Sequence, residues 1–159
     1  MNTVKIAGFV SAAVAVAAVA YGQARPGFRI LGDAPLDEIA VFPKEELVSL
    51  FREANANGIR TTRLLEGGEY NVNIRHAKEI TPENFRTLVH PDTIDVWVVQ
   101  EGSGTRLTGG RQDGDQHIGG DERFISVGDL VFIPAGMPHG MKETNAITWL
   151  NIRFPEHRN

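Results

Sequence analysis

The chain has 159 residues, a length that fits one domain better than two. Its composition, 42% hydrophobic and 23% charged, is that of a globular protein, and a formal net charge of -4 gives no electrostatic reason to expect nucleic acid or an anionic membrane surface as a partner. Because the chain has no cysteine, disulfides, thiolate metal sites and a cysteine nucleophile are excluded, and any metal site must use nitrogen and oxygen ligands.

Residues 1–24 have the layout of a secretory signal peptide. Lys5 precedes an apolar run of about 15 residues, and the small residues that follow fit cleavage after Ala20 or after Ala24. The alternative is an uncleaved membrane anchor, but the run is shorter than the roughly 20 residues that span a bilayer. We therefore expect a periplasmic or secreted protein that does not contact the membrane after cleavage.

Residues 25–58 are expected to form an N-terminal arm followed by a helix. The proline- and glycine-containing stretch 26–43 has no sustained periodicity, which is typical of an arm lying over the fold or of a partly ordered linker. The helix is predicted to begin at Pro43 and to end at Gly58. Its apolar residues lie on one face, which favours packing against the outside of the domain: Leu47, Leu50, Phe51 and Ala54.

From residue 59 the pattern becomes alternating, with short segments separated by glycines, which predicts an all-β domain over residues 59–154 and a polar tail over 155–159. So many short strands in one domain must close into a barrel or form a two-sheet jelly roll to protect their edges. A short helical turn is expected at 81–84. The predicted strands are 60–65, 70–76, 87–90, 95–100, 104–108, 123–126, 130–133 and 146–154.

A specific motif lies near the end of this domain. Gly128, Pro134, Gly136 and His139 have the spacing glycine, five residues, proline, one residue, glycine, two residues, histidine. This spacing resembles the second motif of the cupin family. The resemblance implies a cupin-type double-stranded β-helix, a jelly-roll barrel, with the N-terminal helix packed outside.

A second stretch, from His90 to Gly102, resembles the first cupin motif in part. The resemblance implies that His90, Asp95 and His139 face one another inside the barrel and bind a divalent metal, since nitrogen and carboxylate ligands suit iron, manganese, copper, nickel or zinc. The chain departs from the family pattern at Leu88, which takes the place of the first histidine. It also has Asp95 for the usual glutamate, Pro82 for the opening glycine and Glu143 for the closing asparagine.

His76 is the candidate that would replace the missing histidine ligand. In the predicted strand 70–76 it shares a face with Val72 and Ile74, and we expect this face to point inward. The alternative is a hydrogen-bonded structural histidine. His117, in a glycine-rich loop, is interpreted as solvated, and His157 as part of a disordered tail.

Several other side chains are candidates for the lining of the site. Leu88, Trp97, Phe132 and Met141 are predicted pocket residues, although apolar strand residues are often simply core, and Trp149 is a further possibility. Three arginines are candidates for pairing with an anionic substrate, with an ordinary surface role as the alternative: Arg75, Arg106 and Arg153.

The resemblance predicts a metal-dependent enzyme that acts on a small organic molecule. Oxygenase, isomerase and decarboxylase activities occur among cupins; we favour an oxygenase, in which Glu143 or Asp95 moves a proton. The alternative is a non-catalytic, possibly metal-free module that binds a small ligand, and Leu88 at a ligand position favours it. We also expect a homodimer, in which the arm adds to the partner's sheet.

Overall fold

The computed structural model describes residues 26–157, so the predicted signal peptide lies outside the described residues. Within this range the chain forms one helix and nine strands. In chain order they are β1 Phe28–Ile30, α1 Lys44–Asn57, β2 Thr61–Glu66, β3 Asn71–Ile80, β4 Thr93–Thr108, β5 Arg111–Asp113, β6 Gln116–Ile118, β7 Asp121–Ser126, β8 Leu130–Ile133 and β9 His139–Pro155. The all-β prediction is confirmed.

Strands β4 and β9 form the centre of the fold. The main sheet has the order β1-β2-β3-β9-β4-β7, and β8 pairs with β4 as well. β4 pairs with β8 near its start and with β7 near its end, so that this one long strand contacts both of these shorter strands. Register shifts between Val99 and Glu101 and between Ser103 and Thr105 bend β4 along its pairing with β9.

Gly102 makes this bend possible. Its φ of 71° is in the left-handed region, and a Cβ at this position would lie 2.1 Å from the carbonyl oxygen of Ala146 on β9. A larger residue would have to push the two central strands apart. The predicted strands 95–100 and 104–108 are interrupted at this glycine, whereas in the structure it forms a bulge inside one continuous strand.

The two faces of the sheet pack into two separate apolar clusters. The inner cluster consists of Trp97, Val99, Ile125, Val131, Ile133, Met141, Ile147 and Trp149. On the outer face, Phe51 of α1 packs with Leu64 of β2 and Ile74 of β3. Residues directly opposite each other in antiparallel strands share a face, and successive pairs alternate between the two faces. Ile74 and Leu150 therefore lie on the outer side, and the next pair, Arg75 and Trp149, lies on the inner side.

Several predicted boundaries are different in the structure. The predicted strands 95–100 and 104–108 are both part of β4, and the predicted strand 146–154 begins earlier, at His139. The predicted strand 87–90 is reduced to one bridge between Leu88 and His139. The arm contains β1, which pairs in parallel with β2, and the loop after β4 contains the β5–β6 hairpin. These short pairings depend on tertiary contacts rather than on a local pattern.

Helix α1 is found where the sequence predicted it. It follows Pro43 and is terminated by Gly58, whose φ of 64° is the left-handed conformation common at helix C-termini. No helix among residues 26–157 is both long enough and apolar enough to cross a membrane.

Candidate metal centre

Backbone hydrogen bonds bring the two sequence motifs together. Leu88 and His139 exchange N–H to carbonyl bonds of 2.8 and 2.9 Å, and the Gly136 N–H donates to the carbonyl of His90 at 2.8 Å. The turn before β9 is therefore fixed against the loop that carries His90, while Asp95 follows on β4. As a result, ligand atoms of His90, Asp95 and His139 all lie within 4.8 Å of one another.

His139 has a free, buried ring nitrogen. Its Nδ1 lies 2.8 Å from the carbonyl oxygen of Met137, which can only accept, so Nδ1 carries a proton, and in the neutral ring Nε2 carries a lone pair. The residue is 1% exposed and Nε2 has no hydrogen-bond partner, although it lies 3.2 Å from Oδ2 of Asp95. A lone pair facing a carboxylate in the interior is unfavourable unless a metal ion or a proton lies between them. The donor set therefore fits a metal ion.

The other two candidate ligands are in the protonation states that a metal needs. Burial would raise the pKa of Asp95, but His139, Arg153 and His90 together hold it at about 2, so the carboxylate is ionised. Burial lowers the pKa of His90 to about 4, with a further contribution from the positive charge of Arg153, so the imidazole is neutral at neutral pH. Ionised carboxylates and neutral imidazoles are the forms that coordinate metals.

Arg153 contacts the same ligand atoms. Its Nε donates to Oδ1 of Asp95 at 2.6 Å, and one of its terminal nitrogens donates to Nε2 of His90 at 2.9 Å. A neutral imidazole has one lone pair, so Nε2 of His90 can accept from arginine or bind a metal, but not both. Metal binding through this nitrogen requires the guanidinium to move away. Arg153 was predicted only as a candidate for pairing with an anionic substrate, and nothing in the sequence pattern indicated its contact with His90.

His76 is not part of this group. It lies opposite Thr148 in the ladder, and its Nδ1 is 3.0 Å from the Thr148 hydroxyl. Val72 and Ile74, on the same side of β3, pack towards α1, whereas His76, further along the strand, lines the cavity described below. Its Nε2 is buried and has no hydrogen-bond partner. The bond with Thr148 agrees with the alternative, a hydrogen-bonded structural histidine.

Two further candidates lie away from the group. Glu143 is exposed on β9, opposite Thr105, and does not line the adjacent cavity, which leaves its predicted proton-transfer role without structural support. Phe132 is 57% exposed and pairs with Val96 on the outer face of β4; it does not line the cavity beside the candidate ligands but a smaller one, with Arg106 and Met137.

His117 is half-buried rather than solvated. Its Nε2 lies 2.8 Å from the carbonyl oxygen of Gly109 and its Nδ1 2.9 Å from the hydroxyl of Thr87. The carbonyl can only accept, so Nε2–H donates to it and Nδ1 accepts from the threonine. This histidine joins the β5–β6 hairpin to the segment before His90, which is a structural role.

A cavity of about 610 Å³ lies beside the candidate ligands. Leu88, Trp97 and Met141, three of the candidate pocket residues, line it. The three candidate ligands themselves do not line it; Arg153 does, and it contacts both His90 and Asp95. The Trp97 ring also connects the two regions, since its centroid lies 5.7 Å from the His139 ring and 5.0 Å from the Trp149 ring.

Comparisons with known proteins identify the fold. No protein-family model and no curated protein matches the sequence. Among solved structures, BH2720 from Bacillus halodurans matches with a TM-score of 0.53 and 18% identity, over 79% of this chain and 86% of that one. FeII HppE matches with a TM-score of 0.50 and 14% identity, over 59% of this chain and 50% of that one.

The cupin domain of Schizosaccharomyces pombe Cnp3 also matches, with a TM-score of 0.48 and 8% identity over 60% of this chain and 64% of that domain. At these identities, structural similarity establishes the fold alone. The chain has the fold of the small cupins, as its motifs predicted, and it carries a His–Asp–His group that is able to hold a metal ion.

Proposed function

We propose that this protein is a cupin-fold enzyme in which His90, Asp95 and His139 bind one divalent metal ion next to a cavity for a small organic substrate. The observation that carries the proposal is the buried, unpartnered Nε2 of His139, 3.2 Å from the Asp95 carboxylate. Two imidazoles and one carboxylate are the ligand set of facial-triad iron sites. We favour an oxygenase, with isomerase or decarboxylase chemistry at the same site as the alternatives.

The bound metal would polarise a substrate oxygen or provide a site for water or dioxygen. Groups of the protein orient the candidate ligands and exclude water from them. The Met137 carbonyl fixes the ring orientation of His139, and the Trp97 ring packs edge-on against it. Asp95 and His139 are each only 1% exposed, so bulk water is excluded from two of the three ligands. HppE, one of the fold neighbours, is described as an FeII protein, which makes iron the first metal to test.

A second function is favoured by a different observation. Arg153 donates to both Asp95 and His90, so the guanidinium can serve as an internal cation in place of a metal. Leu88 at the position of a family ligand agrees with this alternative. The protein would then be a metal-free module that binds a small molecule in the cavity without chemistry.

Metal analysis separates the two functions. We would express the full chain with its leader, purify the mature protein, and measure metal per chain by mass spectrometry for the wild type, His139→Ala and a matched control, His157→Ala, at an exposed position. A metal enzyme predicts near-stoichiometric metal in the wild type and the control and its loss in His139→Ala. Low metal content that is equal in all three proteins would contradict the enzyme proposal and favour the metal-free module.

We also propose that the protein is exported. The basis is the leader-like composition of residues 1–24. Cell fractionation and N-terminal sequencing of the mature protein test this proposal: a chain beginning at Tyr21 or Arg25 in the periplasm or medium agrees with it, and a chain that retains Met1 in the cytoplasm contradicts it.

Finally, we propose a homodimer. Part of the outer face, formed by β8, β4 and β9, is apolar and exposed: Leu130, Phe132, Ile152 and Phe154 are all at least 37% exposed. The arm also exposes Leu36, Ile39 and Val41. Contiguous exposed apolar residues commonly mark protein interfaces, and a second copy would cover both regions at once.

A further inference from the structure

We propose that the cavity beside the candidate metal centre binds a small organic oxyanion through Arg75, with the side chains of Trp149 and Asn151 binding a second polar group of the same molecule. The identification of this anion as the substrate rests on the function proposed above. The binding of the anion does not rest on that function, because none of these three residues is a candidate metal ligand.

The charge of the lining is the first argument. The cavity is lined by five cationic side chains and one acidic one, Glu79, although the chain as a whole has a net charge of -4. Arg153 is paired with Asp95, but none of the other four has an ion-pair partner among the described residues. A concave, positively charged surface in an acidic protein attracts anions. The five cationic residues are Arg60, Arg75, Lys78, Arg86 and Arg153.

Arg75 is the residue most suited to bind the anion. It lies directly opposite Trp149 in the β3–β9 ladder, on the inner face, and its terminal Nη1 donates to the neutral hydroxyl of Thr61 at 2.7 Å. Burial lowers its pKa to about 10, with a further contribution from Arg153, and the guanidinium still remains charged at neutral pH. A half-buried cation without a carboxylate partner is stabilised by an anion that forms two parallel hydrogen bonds with it.

Unpartnered polar atoms provide the second, independent argument. Asn151 is 1% exposed, and neither its side-chain nitrogen nor its side-chain oxygen has a hydrogen-bond partner; Nε1 of Trp149, a residue 5% exposed, has none either. Both residues line the cavity and face the same side of the sheet as Arg75. An unsatisfied buried polar group is unfavourable, and a ligand with matching groups satisfies these atoms when their side chains turn towards the cavity.

These groups indicate the chemical class of the ligand. The indole N–H needs an acceptor, and the amide of Asn151 offers one donor and one acceptor, which a hydroxyl group matches. Leu88, Trp97 and Met141 supply an apolar wall, and about 610 Å³ is more than a simple inorganic ion fills. The ligand is therefore an organic carboxylate, phosphate or phosphonate that has an apolar part and carries a hydroxyl or carbonyl group.

The two tryptophans allow a direct test. Trp97 and Trp149 are the only tryptophans of the chain, and both line the cavity, so intrinsic tryptophan fluorescence reports its occupancy. The full mature protein, stripped of metal and freed of chelator, is titrated with three probes. Mandelate carries a carboxylate, a hydroxyl and an apolar ring; mandelamide is its neutral analogue; hydroxy(phenyl)methylphosphonate, which keeps the hydroxyl and the ring, shows whether a phosphonate replaces the carboxylate.

We expect mandelate to bind about tenfold more tightly than mandelamide, which corresponds to one charge-assisted contact. Arg75→Met should abolish this preference, and the matched control Arg123→Met, at an exposed position on β7, should retain it. Tighter binding of hydroxy(phenyl)methylphosphonate than of mandelate would identify phosphorylated or phosphonate compounds as the source of the oxyanion, and weaker binding would identify carboxylates.

Equal affinities for mandelate and mandelamide in the wild type would overturn the proposal, and so would the absence of a fluorescence change with every probe up to about 10 mM. The wild-type comparison stands even if Arg75→Met fails to fold. Because the titration uses metal-free protein, its failure says nothing about metal content. Conversely, absence of metal from the wild type would contradict the proposed enzyme and leave the oxyanion result intact.

Discussion

A terminal nitrogen of Arg153 lies 2.9 Å from Nε2 of His90, the lone pair of which would otherwise be available to a metal ion. Because the same guanidinium also donates to Asp95 at 2.6 Å, it neutralises the one acidic residue of the candidate metal centre. Metal ion and arginine therefore compete for the same two side chains. The consequence is that metal affinity depends on a residue that is not a ligand.

Arg153→Met should raise the affinity for cobalt(II) or zinc(II) by about tenfold or more, because the competing hydrogen bonds and one positive charge are removed. The metal-free variant should be less stable than the wild type by about 3 kcal/mol, since Asp95 loses its buried partner. Calorimetric metal titration and urea denaturation measure the two effects. Arg123→Met is the control, and a lower metal affinity of Arg153→Met would show that arginine helps to hold the metal.

His76 should make the stability of the metal-free protein depend on pH. Burial, with a smaller contribution from Lys78, lowers its pKa in the folded protein below the ordinary value of 6.5. The unfolded chain then binds the proton more readily than the folded chain. The stability from this histidine is present above pH 6.5 and is lost as the pH falls through the lower, folded pKa.

The comparison of wild type with His76→Gln isolates this contribution from that of other acid-sensitive groups. Urea denaturation from neutral to acidic pH should show a smaller acid-side loss of the free energy of unfolding in the variant. His157→Gln is the control, because His157 is exposed at the C-terminal end of the described residues. Parallel pH profiles for wild type and His76→Gln would disprove the prediction.

Two glycines with positive φ should respond differently to alanine. At Gly128 a Cβ meets nothing within 4 Å, so Gly128→Ala should cost only the left-handed backbone strain, about 1–2 kcal/mol. At Gly102 the Cβ would also lie 2.1 Å from the Ala146 carbonyl oxygen, so Gly102→Ala should cost at least about 2 kcal/mol more. Thermal and chemical denaturation give the two values, and equal losses would show that β4 and β9 separate easily.

Phe132→Glu should convert the proposed dimer to a monomer. The side chain is 57% exposed in the single chain, so the charge should change the stability of the monomer by no more than about 0.5 kcal/mol while it disrupts an apolar interface. Size-exclusion chromatography with light scattering measures the mass. Ile118→Glu, on the β5–β6 hairpin, is the control, and a wild type that is monomeric at high concentration would rule out the dimer.

The residues of the site that could be predicted from the sequence are those placed by spacing along the chain. The spacing of Gly128, Pro134, Gly136 and His139 identified the cupin-type fold, and the same comparison named His90 and Asp95, which the structure brings within reach of His139. Glycine spacing and apolar periodicity are local properties, so the sequence records them directly.

The face of the sheet on which a side chain lies could not be predicted in this way. His76 and Phe132 lie on strands with an alternating pattern, and the outer faces of these strands are also apolar. The outer face of β3 is apolar because α1 covers it, whereas that of β8 is apolar and exposed in the single chain. Strand parity tells which residues share a face, but the direction of that face depends on what packs against it. For the same reason, the sequence pointed to the three arginines without showing that Arg153 alone contacts His90 and Asp95.

The sequence by itself therefore determined the class of fold, the position of the helix and three residues able to hold a metal, because each depends on spacing along the chain. Only the tertiary structure decided that Arg153 shares those ligands, that His76 does not, and that Arg75, Trp149 and Asn151 face one cavity. The physical reason is that these relations join strands distant in sequence, and the register and curvature of the sheet, rather than any local preference, set the distances between them.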